Sequence, residues 1–79
     1  MIREEIFNQL REMLVEQLGV DEADVTEDAS FAGDLDADSL DLVEVIMEME
    51  DKFSVKISDE EAEKIRTVRE AVDFVAARA

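Results

Sequence analysis

The sequence predicts an all-α fold: a small four-helix bundle with a short third helix and a long loop between the first two helices. Three observations predict it. Val, Ile and Leu fall at helical rather than alternating spacings along the chain. Proline is absent and there are only two glycines, Gly19 and Gly33, so little in the sequence interrupts a helix. Ser58-Asp59-Glu60-Glu61 and Thr67-Val68-Arg69-Glu70 are both capping boxes, and two so close together mark two helices rather than one.

The first helix is expected from Arg3 to Leu18, with Ile6, Phe7, Leu10, Met13, Leu14 and Leu18 on one face. Gly19 follows its last apolar position, where a left-handed residue would end it. Residues 19–37 then form a connection too long to be structureless in so small a domain. Val20, Val25, Phe31 and Leu35 punctuate it and are expected to turn inward, and Ser30 can cap a single turn. The second helix should span Ser39 to Phe53, with Asp38 as N-cap and Asp41 at N3. That is a capping box with Asp at both ends in place of Ser/Thr and Glu. The third opens on Ser58 and ends near Ile65. The fourth opens on Thr67 and carries Val68, Ala71, Val72 and Val75 at i, i+3, i+4 and i+7. Neither a repeat nor a linker divides the chain, so residues 1–79 read as a single domain.

Charge is the compositional outlier. There are 23 Asp and Glu against 8 Lys and Arg, a formal net charge of −15. Such a surface repels nucleic acid and anionic membranes, attracts basic protein surfaces and repels its own copies, which fits a monomer. Apolar residues make up 47% of the chain, too many for a disordered acidic tail. With no cysteine there is no disulfide framework and no thiolate metal site. The amino terminus lacks an apolar h-region and no apolar run reaches membrane-spanning length, so a cytoplasmic protein is expected.

The chemistry converges on Asp38-Ser39-Leu40-Asp41. A nucleophilic serine needs a neighbouring base, and this chain has no histidine. No G-x-S-x-G elbow surrounds Ser39 either. No catalytic residue is assigned, and Ser39 reads as a group that receives a modification or as an ordinary helix-start serine. Asp34, Asp36 and Asp38 imitate the opening of a calcium loop, but Ser39 stands where that loop needs Gly and Val45 where it needs a bidentate Glu. No metal site is assigned.

Around the second helix, Leu42, Ile46, Met49 and Phe53 cluster within roughly 20–80° and form the expected core stripe. Asp41, Glu44, Glu48 and Asp51 form an acidic ridge at roughly 220–300°. Leu40, Val43 and Met47 form a third, apolar group turned away from the core. The third helix could cover that group; alternatively, beside the ridge and next to Ser39, it makes a docking surface for a partner with a basic rim.

The stretch Leu35-Asp36-Ala37-Asp38-Ser39-Leu40-Asp41 resembles the attachment motif of acyl carrier proteins, and Asp59-Glu60-Glu61-Ala62-Glu63-Lys64-Ile65 resembles their third-helix segment. The likeness runs from Leu18-Gly19-Val20 through Ala29-Ser30-Phe31 to the end of the fourth helix. It is nearest to the discrete carriers of type II fatty-acid synthesis. The resemblance implies that Ser39 carries 4′-phosphopantetheine, taken from coenzyme A by a phosphopantetheinyl transferase, and that the arm holds growing acyl chains as thioesters. It implies that Asp38, Asp41, Glu44 and Glu48 meet basic patches on fatty-acid synthesis enzymes, with Leu40, Val43 and Met47 as the apolar half of that contact. The acyl chain would fold back against Phe31, Met49, Ile57, Ala62 and Ile65. Asp36 stands where the family commonly has glycine, Ser58 replaces a frequent proline, and Lys52 interrupts a stretch often fully acidic. A carrier for polyketide or another specialised acyl product is the alternative within the family. A small acidic interaction module with weak divalent-cation binding is the alternative outside it.

Overall fold

The computed structural model describes residues 2–78. Over them run α1 (Arg3–Leu18), α2 (Ser39–Phe53), α3 (Asp59–Lys64) and α4 (Val68–Arg78), with one 3₁₀ turn at Glu22–Asp24. α1 buries Ile6, Leu10, Met13 and Leu14, while Phe7 and Leu18 pack at the edge of the core. Gly19 ends it in the left-handed region, φ 68°, its amide donating to the Val15 carbonyl at 3.0 Å. A Cβ added there would meet nothing within 4 Å, so the backbone angle is what asks for glycine.

The long loop is pinned along its length. Val25, Phe31 and Leu35 are buried and Val20 is half-buried. Ser30 does cap a turn: its hydroxyl accepts the Gly33 and Asp34 amides at 3.0 and 3.1 Å. The Asp34 carboxylate returns the contact by accepting the Ser30 amide at 2.8 Å. Gly33 is tight for a steric reason, since an added Cβ would lie 2.6 Å from the Ser30 hydroxyl.

One feature of the loop has no local sequence signal. Ser30 and Thr67 form an antiparallel bridge, with Phe31 N–H donating to Arg66 C=O and Val68 N–H to Ala29 C=O, both at 3.0 Å. The Arg69 amide adds a bond to the Glu27 carbonyl at 2.8 Å. Ion pairs surround the junction: Arg3 meets Glu27 at 2.7 Å and Asp73 at 2.9 Å, and Arg69 meets Asp28 at 2.7 Å. All are substantially exposed, so each contributes only about 0.2–1 kcal/mol. The bridge does more, because it satisfies backbone groups beside the core.

α1 is the hub of the bundle and packs on both α4 and α2. α4 buries Val68, Ala71, Val72 and Val75, the four positions its spacing predicts. α3 buries none of its own residues and touches the other helices lightly. Ser54 closes α2 in a left-handed conformation, φ 55°, and the Glu50 carboxylate accepts the Ile57 amide at 2.9 Å. Val55 and Ile57 are thereby turned into the core.

The core face of α2 is a correction to the sequence reading. Val45 is fully buried together with Met49 and Phe53, whereas Leu42 and Ile46 are only half-buried at the margin. α2 packs mainly on one neighbour, so its buried contact is a narrow i, i+4, i+8 row rather than a broad stripe. Val45→Ala should therefore cost about 2–3 kcal/mol in chemical denaturation, and Leu42→Ala clearly less despite its larger side chain. A larger loss from Leu42→Ala would put the core line back where spacing alone draws it.

Candidate functional site

The approach to Ser39 is built from a left-handed step and a cap. Asp36 has φ 56°, a conformation that short polar side chains tolerate better than most, so the turn survives without glycine. Leu35 and Ala37 on either side are buried, and the Ala37 amide donates to the Phe31 carbonyl at 2.8 Å. Asp38 then turns extended, and its carboxylate accepts the Asp41 amide at 2.9 Å. Asp41 accepts the Asp38 amide at 3.3 Å, which completes the all-aspartate capping box expected from the sequence. Ser39 is the first residue inside α2, exposed, and takes part in neither half of the box.

The acids near Ser39 already have work within the fold. Asp34 closes the Ser30 turn, while Asp38 and Asp41 close the start of α2. Among the described residues, no three or more Asp, Glu, His or Cys side chains converge on a point that could hold a metal ion. The D-x-D-x-D pattern is turn and cap chemistry here.

The apolar group on α2 is uncovered. Leu40, Val43 and Met47 are 67%, 54% and 61% exposed, so α3 does not shield them. Glu44 and Glu48 are exposed beside them, as is Asp51, and Asp41 is half-buried. Met47 also lines a shallow surface concavity with Val55, among Gln17, Glu44, Glu48, Glu50, Asp51 and Lys56. Towards α1 the ridge continues into a groove lined by Glu12, Glu16, Glu48 and Asp51, with Lys52 the single cation among them. Spacing on one helix could not reveal that α1 adds its own carboxylates to the ridge.

Phe31, Met49, Ile57 and Ile65 are buried in the main core, and Ala62 is half-buried against it. The structure brings these residues into the core and leaves Ser39 at the surface. Val45, Ala29 and Ala37 join the same core and were not singled out by sequence, although Val45 stands four residues before Met49 on the helix.

Glu61 sits in a distinct electrostatic environment. Its carboxyl is held below the ordinary glutamate range chiefly by the Ser58 amide it accepts, with help from the Ser58 hydroxyl and from Arg78 and Lys64 nearby. Partial burial opposes the shift and does not overcome it.

Residues 8–75 match the family model described as the phosphopantetheine attachment site. The chain is 61% identical over 75 residues to the acyl carrier protein of Rubrobacter xylanophilus, covering 95% of this chain and 93% of that protein. It superposes on the solved structure of the acyl carrier protein from Enterococcus faecalis with a TM-score of 0.84 at 37% identity, over 100% of both chains.

The depressed Glu61 carboxyl has a signed consequence. Its contribution to folding is complete above the ordinary glutamate range and fades as pH falls through its lower folded value. A carbon-detected titration should place the Glu61 midpoint below that range. In Glu61→Gln, this part of the acid sensitivity of α3 amide protection should vanish. A Glu61 midpoint at or above the ordinary value would overturn the assignment.

Proposed function

The chain belongs to the acyl carrier protein family, and on that premise we propose that Ser39 is the residue that receives its prosthetic group. The chain is a carrier of acyl groups on covalent 4′-phosphopantetheine and is not an enzyme. The observation that carries the Ser39 assignment is its position: an exposed hydroxyl on the first residue of α2, outside the cap that organises it. A phosphodiester on this oxygen would sit at a helix N-terminus, where unsatisfied amides and the helix dipole favour an anion. The carboxylates of Asp38 and Asp41 would oppose it, but both are engaged with backbone amides.

In the transfer, a bond forms between Ser39 Oγ and the phosphorus of the coenzyme A phosphate joined to pantetheine. The pyrophosphate bond breaks, and the nucleoside bisphosphate leaves. Asp38 and Asp41 are held by backbone amides, so the serine proton is assigned to a base on the transferase. The bound group supplies a terminal thiol that a cysteine-free chain lacks. Leu40, Val43 and Met47, flanked by Asp38, Asp41, Glu44 and Glu48, form the face offered to the transferase and to fatty-acid synthesis enzymes with basic docking patches. Acyl chains fold back between α2 and α3 against Phe31, Met49, Ile57, Ala62 and Ile65. α3, with none of its own residues buried, is the element that yields. The carrier works as a cytoplasmic monomer of one domain, 1–79. Self-repulsion at a net charge of −15 supports the monomer. No helix among the described residues is long and apolar enough to cross a membrane.

Intact mass tests the attachment residue. With coenzyme A, Mg²⁺ and a broad-specificity transferase, the wild-type chain should gain one phosphopantetheine and Ser39→Ala none. Modification of Ser39→Ala would move the site elsewhere.

Binding kinetics test the face. Glu44→Lys should slow association with a basic partner and flatten its salt dependence, because exposed charge acts on encounter. Met47→Ala should leave association near normal and speed release, at a cost of about 1–2 kcal/mol if the partner covers the side chain. Equal effects of both variants on both rates would argue against two separate stripes.

A further inference from the structure

A groove between α3 and α4 has Ile65 and Phe74 among its lining residues, and Arg78 spans it. The Arg78 guanidinium stacks over the Phe74 ring, 3.8 Å from its centroid. The same group pairs with Oε2 of Glu61, whose other oxygen accepts the Ser58 amide at 3.1 Å. One side chain in the last turn of α4 is thus tied to the cap that starts α3. Little else within the helix anchors that end. α3 has six residues, none of them buried, and Ala62 is only half-buried against the core. Its firmer attachments lie outside it, at the buried Ile57 before the cap and Ile65 after the last turn.

We infer that Arg78 is a positioning residue: acting through Glu61 and braced on Phe74, it latches α3 against the core and limits how readily the carrier admits an acyl chain. The second half rests on the proposed route of the chain between α2 and α3. The argument is one of relative strength. An exposed ion pair and a cation–π stack are each weak, but they act on a helix with very little burial of its own. A small bias on a weakly held element shifts its open population appreciably. The latched state seen here is the closed one, with Phe31, Met49 and Ile65 packed together in the core. Removing the latch therefore favours the open, chain-accepting state.

Two measurements on Arg78→Gln and Arg78→Lys test this. In the unmodified protein, the amides of Glu61, Ala62 and Ile65 should exchange about three- to tenfold faster in Arg78→Gln. Amides of Leu14 and Val72 should keep their wild-type rates. Unchanged α3 exchange, or equal acceleration throughout the molecule, would overturn the latch. In protein loaded with an arm bearing a solvatochromic acyl reporter, Arg78→Gln should raise the buried-to-exposed ratio about two- to fivefold. Arg78→Lys, which keeps the charge but loses the planar stack, should fall between wild type and Arg78→Gln in both measurements. Faster α3 exchange with an unmoved reporter would overturn the role in chain admission. A wild-type protein that fails to load would instead sink the Ser39 reading, and the exchange result on unmodified protein would still decide the latch.

Discussion

Carboxylate oxygens accepting backbone amides set the starts of α2, α3 and α4. Asp34 takes the Ser30 amide, Asp38 and Asp41 exchange amides at the start of α2, and Glu61 takes the Ser58 amide at the start of α3. Glu70 takes the amides of both Arg66 and Thr67 before α4, and Glu50 takes that of Ile57. In a chain with no proline, these bonds supply helix starts by satisfying amides that have no partner within the helix. They also give a strongly acidic chain a use for part of its charge. A carboxylate at a helix N-terminus is favoured by the exposed amides and by the dipole. The position of Ser39 depends on this arrangement directly, since the box that starts α2 also sets where its first residue faces.

Much of this was legible in the sequence because it is local. Capping boxes, Gly19 and the 3.6-residue spacing of α1 and α4 each involve neighbours within a few positions, and all appear as expected. The stretch around Ser39 is equally local, while the exposure of Leu40, Val43 and Met47, which spacing leaves open between cover by the third helix and a free face, is decided by the packing. What sequence could not give depends on partners far along the chain. Val45 was passed over because the centre of an apolar arc says nothing about which neighbour the helix leans on. The Ser30–Thr67 bridge involves two polar residues in loops and leaves no periodic trace. The Arg78–Glu61 pair joins two helix ends that only the packing brings together.

The acidic surface is uneven. Glu48 and Asp51 of α2 face a groove shared with Glu12 and Glu16 of α1, with only Lys52 to offset them. Arg3, Arg69 and Arg78 are committed elsewhere, to Glu27, Asp28 and Glu61. The groove between α1 and α2 is thus lined by four carboxylates and one cation, whereas several acids of the loop, α3 and α4 are paired with arginine. On the proposed reading of the α2 face, a basic partner would be steered by these carboxylates before it touched Leu40, Val43 and Met47.

The Ser30–Thr67 bridge also bears on the order in which the molecule assembles. It joins the loop that leads to Ser39 with the start of α4, and Arg3 on α1 reaches Asp73 across nearly the whole chain. Contacts close in sequence form quickly, but these pairings wait for α4. On a ribosome, the segment carrying Ser39 leaves the tunnel well before the residues around Thr67 that pin its loop. The loop that leads to Ser39 is therefore pinned only after the start of α4 has been made, however early Ser39 itself emerges.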